Sequence, residues 1–343
     1  MFPFLNEPLK AILLGIYSVV GNYGWSIVLF TLLIRALLMP LDAKSRKSMR
    51  KTQKLQPQIA AIQKKYKNDK DKLNQKTMEL YRKEHISPLS GCLPMLLSLP
   101  ILFGMFGAMN ILAHEQIAGH VFTYLAQEEP QYQGWLWVKN IWMPDSPFAP
   151  VVPDENSIVN QVAPENWRSV YNNLSETQKA AIDTFNQSLP EDQRIKFDFS
   201  DAKTSKATAT QIVNVLNKHV PLYAEKTVKV SGWQNIQLII VQLSIFVFYN
   251  GFFLLPLLAA GSQFLMSSAM PQTPTQDGKP GSANFMKYFF PIFSLFICFS
   301  SNAGFALYWV TANLIAAAQN VLLNKYFDAQ EKKAAAVGEG TVK

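Results

Sequence analysis

Apolar and polar residues alternate along this chain in long blocks. Residues 22–41, 93–112, 252–269, 285–299 and 304–323 are each almost continuously apolar. Most approach the ~20 residues that a helix needs to cross a bilayer; the block 285–299 is short and borrows from its neighbours. Residues 2–20 are instead amphipathic, with Glu7 and Lys10 among apolar positions and Pro3 and Pro8 near the start. That pattern suits a helix lying in the outer interface, separated from the first span by Gly21-Asn22. Residues 44–84 predict a helical hairpin. Ile59, Ile62 and Tyr66 recur at helical spacing, as do Leu73, Thr77, Leu80 and Tyr81, and Asn68-Asp-Lys-Asp71 supplies the turn. The apolar stripes are narrow, so the two arms are expected to pack on each other, with Pro57 kinking or interrupting the first. Ser87-Pro-Leu-Ser-Gly-Cys-Leu-Pro94, followed by Pro100, predicts an irregular entry to the second span.

Residues 113–235 form a long polar region. Trp135, Trp137 and Trp142 are placed along the membrane interface, where tryptophan is favoured. The remainder reads as a small soluble insertion. Ser175-Glu-Thr-Gln178 is a capping box opening a helix to about Ser188. Pro190-Glu-Asp-Gln predicts a turn, 207–219 a second helix and 227–230 a short strand. The apolar segment 236–249 is only about 14 residues long and is assigned to an interfacial helix or a lengthened third span. Counted as a separate crossing, it would reverse the topology downstream. Residues 271–283 form a Pro/Gly/Thr-rich loop and 300–304 a short external turn. The tail after Lys325 is polar and expected to be partly disordered.

Composition agrees with an integral membrane protein: 49% of the 343 residues are hydrophobic, yet charge is concentrated between the apolar blocks. The net charge of +8 is unevenly spread. In 44–84, fourteen Lys and Arg face four acids, whereas 151–230 holds nine basic and ten acidic residues. The positive-inside rule then places 44–84 in the cytoplasm, with the N-terminus and 113–235 outside. The basic segment also suits anionic lipid. Specific nucleic-acid binding is disfavoured, because no aromatics interleave the charges as a stacking surface needs. Cys92 and Cys298 show no metal or redox spacing and read as packing residues. The N-terminus carries no signal-peptide pattern, and no cysteine stands where a lipid anchor would need one.

Catalytic motifs fail on inspection. In His114-Glu-Gln-Ile-Ala-Gly-His120 the position that a zinc-protease motif reserves for its second histidine is Ala118. There is no Walker loop, GxGxxG or GxSxG, and no carboxylate sits within a span as an ion-coupled transporter needs. Asn173-Leu-Ser and Asn186-Gln-Ser match the weak glycosylation pattern. The exceptional residue is Arg35, inside the first apolar block. A guanidinium at that depth costs roughly 3 kcal/mol on insertion scales and cannot deprotonate. Either it snorkels to a headgroup, or it faces a polar groove as a cation awaiting an anionic guest.

These motifs, in order, resemble the YidC/Oxa/Alb family of membrane-protein insertases. Residues 29–41, with one Arg followed by a Pro, are similar to the family's first core helix. Lys54-Leu-Gln-Pro-Gln-Ile-Ala-Ala-Ile-Gln-Lys-Lys-Tyr66 resembles the first arm of its cytoplasmic hairpin. Residues 81–100 are similar to the entry of its second helix, Phe252-Phe-Leu-Leu-Pro-Leu-Leu-Ala-Ala-Gly-Ser-Gln-Phe-Leu265 to its third, and 288–320, with Gly304-Phe-Ala-Leu-Tyr-Trp-Val-Thr-Ala-Asn313, to its last two. The resemblance covers roughly 1–145 and 250–325. The layout is closest to the five-helix Gram-positive type, enlarged by the insertion at about 150–235 and lacking the usual lipid-anchor cysteine.

The resemblance implies an all-α membrane protein: a five-transmembrane-helix bundle with a cytoplasmic helical hairpin and an α(+β) extracytoplasmic insertion. The expected divisions are an interfacial helix 1–20, first span 21–43, hairpin 44–86, second span 87–113, and extracytoplasmic region 114–250. Then follow a third span 251–270, loop 271–284, fourth span 285–300, fifth span 303–323 and cytoplasmic tail 324–343. Its implied location is the bacterial plasma membrane, and its implied role is that of a non-enzymatic insertase and chaperone without cofactor. It would take nascent membrane proteins into a positively charged hydrophilic groove. Arg35 supplies the charge, Thr31 lies one helical turn away, Gln263 and Asn313 are further polar candidates, and Tyr308 and Trp309 sit where the family contacts clients. Implied partners are membrane-protein clients and lipids, with the Sec translocon, ribosome and signal recognition particle as further candidates; the short tail argues against ribosome binding through a long extension. The competing readings are a channel or transporter subunit, or a structural assembly factor that binds finished membrane proteins.

Overall fold

The computed structural model describes residues 3–84, 93–238, 241–269 and 281–340. Helix α1 (Pro3–Val20) stops at Gly21, whose φ of 71° is a left-handed conformation that glycine adopts without strain. Asn22 then caps helix α2 (Tyr23–Lys54), its Oδ1 accepting from the Trp25 N–H at 3.2 Å. The first apolar block and the start of the expected hairpin are thus one helix of 32 residues. A separate arm begins only after Leu55, as α3 (Gln56–Lys65). Pro57 lies in the first turn of α3, where its missing N–H would have had no partner anyway; it punctuates two helices and does not bend the middle of one. Asp69 caps α4 (Lys70–Lys83) by accepting from Lys72 N–H at 3.0 Å. Leu55 and Ile59 are buried, with Leu80 and Tyr81 packed on them, so the two arms do pair through a narrow apolar seam.

Helix α5 (Leu93–Leu125) carries Pro100 and runs twelve residues past the expected boundary at 113. The expected irregular entry, including Cys92, falls on 85–92, outside the described residues. The last turns of α5 belong to the core of the insertion. Ile117, Val121, Phe122 and Leu125 pack with Val152, Ile158, Trp167, Ile182, Ile212, Leu216 and Tyr223. The insertion therefore has no separate core: a third of its central apolar wall comes from a helix that precedes it. Its other helices are α6 (Pro164–Asn172), α7 (Glu176–Ser188), α8 (Ala202–His219) and the single turn α9 (Pro221–Ala224). The capping box at Ser175 is formed as predicted. Helix α8 starts five residues earlier than expected because Asp201 caps it, accepting from Lys203 and Thr204 N–H. Trp142, expected at the interface, is 2% exposed and meets the Tyr23 ring edge-on.

The segment 236–249 is neither an interfacial helix nor an extension of the third span. It contains strand β1 (Ile236–Leu238) paired antiparallel with β2 (Val241–Leu243), Gln237 opposite Gln242. The chain then continues extended, with bridges Lys229–Phe246 and Pro150–Tyr249. Its Ile, Val, Phe and Tyr content favours extended backbone; a short continuous apolar run gives no periodicity by which to tell strand from helix. The strand expected at 227–230 shrinks to this bridge, since Thr227 ends a 3-10 turn.

Three helices follow: α10 (Leu254–Ala269), α11 (Gly281–Ser300) and α12 (Ala303–Gly340). The expected loop at 271–283 lies mostly outside the described residues. In the tail, where partial disorder is expected after Lys325, α12 continues to Gly340. Its Ala, Glu, Lys and Gln residues are good helix formers and extend a helix already nucleated in the apolar block. Tyr23–Lys54 and Ala303–Lys333 are each long and apolar enough to cross a membrane; Leu254–Ser268 and Lys287–Ser300 are shorter apolar helices.

The contacts divide the chain into two compact units. One comprises Met1–Val28, Gly104–Leu258 and Leu295–Tyr308, and contains the insertion. The other comprises Leu29–Phe103, Ala259–Ser294 and Trp309–Lys343, and contains the hairpin and Arg35.

Candidate functional site

Within the second unit, the site is built on α2. Thr31 and Arg35 are four residues apart and so share a face. Thr31 is 1% exposed, whereas Arg35 is half-buried. Around them Leu32, Leu33 and Leu37 are 46%, 44% and 67% exposed, the apolar skin a lipid-facing helix needs. No hydrogen bond or ion pair engages the Arg35 guanidinium among the described residues. Asp42, two turns further on, is within electrostatic reach of both Arg35 and Arg46. Pro40 lies inside α2 and removes the N–H that would serve the Ala36 carbonyl. At the preceding carbonyl, that of Arg35, Gln319 of α12 donates a side-chain hydrogen bond at 3.2 Å. The backbone around the cation is thereby tied to α12.

Gln263 and Asn313 are brought together. The Asn313 amide donates to Gln263 Oε1 at 3.1 Å and to Ser262 Oγ at 3.3 Å. Asn313 is 7% exposed, so this contact pairs polar groups that burial would otherwise penalise. Seven residues on, and therefore on nearly the same face of α12, Asn320 is 1% exposed. Neither its amide nitrogen nor its carbonyl oxygen has a partner among the described residues. Asn320 and Gln319 went unnoticed in the sequence. The signal was available in the spacing of Asn313 and Asn320, two carboxamides two turns apart in an apolar helix.

Tyr308 and Trp309 fall on opposite sides of the division between the two units. Adjacent helical residues point about 100° apart. Tyr308 belongs to the other unit, is 5% exposed and packs near Phe305 with ring centroids 6.3 Å apart; Trp309 is half-buried. Chemically, the Arg35 face of α2 offers one cation and a hydroxyl, with the Gln319 carboxamide bonded to its backbone. It lacks a nucleophile–base pair, and among the described residues no group of three His, Cys, Asp or Glu side chains is gathered for a metal.

The sequence profile of the 60Kd inner membrane protein family matches residues 15–187 and 210–332. A membrane protein insertase YidC from Fusobacterium nucleatum is 47% identical over 113 residues, 33% of this chain and 55% of that protein. One from Clostridium perfringens is 41% identical over 135 residues, 39% of this chain and 50% of that protein. One from Pelobacter propionicus is 37% identical over 147 residues, 43% of this chain and 24% of that protein. The aligned segments thus span about half or less of these relatives. The family match extends over most of the chain and takes in Thr31, Arg35, Gln263 and Asn313. The chain is a membrane protein that belongs to the 60Kd inner membrane protein family, the YidC/Oxa/Alb family.

Proposed function

We propose that this chain is a membrane-protein insertase and chaperone, and that Arg35 is the centre of its client site. The observation that carries the reading is a half-buried guanidinium on an apolar helix with no ion pair or hydrogen bond among the described residues. Arginine stays charged, so its cost in the membrane must be offset by water or an anionic guest. In the proposed arrangement five helices, α2, α5, α10, α11 and α12, cross the membrane. The N-terminus and the insertion are outside; the hairpin and the end of α12 are cytoplasmic, the orientation that the charge asymmetry favours.

A client's polar, often acidic, tail enters a groove lined by Arg35, Thr31, Gln263 and Asn313, and keeps more of its solvation than it would in bare lipid. Tyr308 and Trp309 lie along the client's path, Tyr308 acting through packing. The client's own apolar segment supplies the driving force as it leaves water, at ~25 cal/mol per Å² buried. No phosphate-binding loop is needed for such a passive path. Delivery by ribosome, signal recognition particle or Sec translocon belongs to the same proposal, as partners on the hairpin side.

Reconstitution tests this. Purified chain in liposomes should insert a single-span client with an acidic outer tail. Liposomes in which the chain is folded but the client stays protease-accessible would reject the reading and favour an assembly factor. Ion conductance without insertion would favour a channel.

A further inference from the structure

The basic charge of α2 is gathered at a defined pocket in the second unit, between the polar extensions of α2 and α12. The cavity is about 280 Å³ and is lined by Lys47, Arg50, Lys51, Lys54, Phe327 and Glu331 with Gln330. Its cations fall into two pairs at i, i+4 spacing, Lys47 with Lys51 and Arg50 with Lys54. Like charges at that spacing repel along a helix. The second pair is compensated. Arg50 donates to Asp328 at 2.6 Å and to the Asn324 carbonyl at 3.1 Å, and lies 5.4 Å over the Phe327 ring. Lys54 meets Glu331 at 3.0 Å. Lys47 and Lys51 are exposed, and among the described residues neither has a carboxylate within ion-pair distance. The pocket therefore holds two uncompensated ammonium groups beside a fixed guanidinium.

We propose that this pocket seats the headgroup phosphate of an anionic phospholipid. Three observations favour lipid over other phosphates. Lys47 follows the last apolar residue of the block, Leu41, by six positions, roughly 9 Å of helix, which is headgroup depth. On α12, Leu322 and Tyr326 are 61% and 57% exposed. They lie four residues apart, leading to Gln330, whose amide donates to Tyr326 Oη at 2.7 Å. That line is an apolar track for an acyl chain ending at the pocket. The one aromatic ring lining the cavity, Phe327, already has Arg50 over one face, so a nucleic-acid base could not stack on that face without displacing the guanidinium. Lysine suits the task, being a point charge that needs no planar geometry from its phosphate. The inference rests on membrane embedding and not on client insertion.

The test is native mass spectrometry of the full chain released from nanodiscs of phosphatidylcholine containing phosphatidylglycerol. The Lys47→Gln/Lys51→Gln variant should retain phosphatidylglycerol more weakly, by roughly fivefold per lysine. Lys64→Gln/Lys67→Gln, with the same charge loss on exposed positions of the hairpin, should match the unaltered chain. Glutamine is nearly as good a helix former as lysine, so circular dichroism should be unchanged in both. Inorganic phosphate and a short RNA oligonucleotide, added at matched ionic strength, should fail to displace the lipid. Equal retention in all three proteins, or equal loss in both variants, overturns the proposal. Displacement by phosphate or by RNA overturns it in favour of a free-anion or nucleic-acid site.

Discussion

The carboxylate of Asp145 accepts a 2.6 Å hydrogen bond from the backbone N–H of Leu255, 110 residues later. It also accepts from Phe252 N–H at 2.8 Å and from the Trp137 indole at 3.0 Å. Asp145 is 1% exposed. It therefore serves as a helix cap supplied from a distant segment, giving the first turn of α10 an acceptor for N–H groups that the helix itself cannot satisfy. The neighbouring Gly251 makes this approach possible, because a Cβ there would overlap the carboxylate. Asn250 completes the joint: its amide donates to the Asn140 and Pro144 carbonyls, both at 2.9 Å, while its Oδ1 accepts from Asn140 N–H at 2.7 Å.

Asp145→Ala should consequently destabilise the unit that holds the insertion. It leaves three donors without their acceptor, of which the Leu255 N–H is buried and the other two are part-buried, a loss on the order of 2–3 kcal/mol. Asp145→Asn keeps one acceptor oxygen and should fall between. Melting of the detergent-solubilised protein, followed by near-ultraviolet circular dichroism, reads this directly. An unaltered midpoint for Asp145→Ala would mean the cap carries no weight.

Arg35 variants separate charge from packing. A half-exposed ion pair contributes on the order of 1 kcal/mol, so Arg35→Ala should lower insertion of an acidic-tailed client by roughly fivefold and leave a neutral-tailed client nearly unaffected. Arg35→Lys should keep part of the activity, having the charge without the planar fork. Equal insertion by the unaltered chain and Arg35→Glu would sink the proposed role.

Asn320 gives a sharper contrast. A buried carboxamide with neither group paired is costly, and an apolar residue of similar volume removes that cost. Asn320→Leu should therefore stabilise the chain by about 1–2 kcal/mol. If Asn320 also faces the client path, the same substitution should slow insertion. A gain in stability at full activity would assign Asn320 to packing alone.

Legibility in the sequence followed the strength of local signals. The apolar blocks, the Ser175 capping box and the contact of Ile59 with Leu80 and Tyr81 could be read because each is a short-range pattern with one physical meaning, whereas Leu55 was missed as a member of that seam and the expected Ile62 and Tyr66 are not part of it. Arg35 stood out because its cost does not depend on its neighbours. The joint of Asp145 with Leu255 could not be read, since nothing local marks an aspartate as the cap of a helix more than a hundred residues away. The segment 236–249 misled because its apolar run is compatible with helix and strand alike, and the choice was made by pairing with 228–230. The pairing of Gln263 with Asn313 was anticipated only as two separate polar candidates.

The insertion should respond to acid. Burial pushes the His120 imidazole down to about 4, and its Nδ1 has no partner among the described residues. Below the unfolded value of about 6.5 the unfolded chain takes up a proton that the folded one refuses. Stability from this group is thus present above pH 6.5 and is lost as pH falls toward 4, by up to roughly 3 kcal/mol. Hydrogen exchange in 117–126 and 208–223, corrected for intrinsic rate, should speed up between pH 7 and pH 5. His120→Phe should blunt that change. Identical pH responses in the two proteins would discard His120 as the cause.

The hairpin is expected to open more readily than the helices it joins. Helix α4 has no buried residue, and the seam that holds it consists of Leu55 and Ile59 against Leu80 and Tyr81. A contact of that size gives each arm few apolar neighbours and leaves its backbone hydrogen bonds open to solvent, the features of a segment with low local stability. By contrast, Ala312, Asn313, Ala316, Ala317 and Asn320 of α12 are all buried. The break at Leu55, two residues before Pro57, supplies the pivot: α2 is continuous up to Lys54, and the arms can swing beyond it without disturbing the Arg50–Asp328 pair. Amide exchange should therefore be faster in 56–83 than in 25–40 or 309–323, with the change in rate falling near residue 55. Shortening Ile59 to Ala should accelerate both arms together, because they share one seam. If the arms prove as protected as 309–323 in the absence of any partner, the hairpin is a rigid element and the pivot at Leu55 is ruled out.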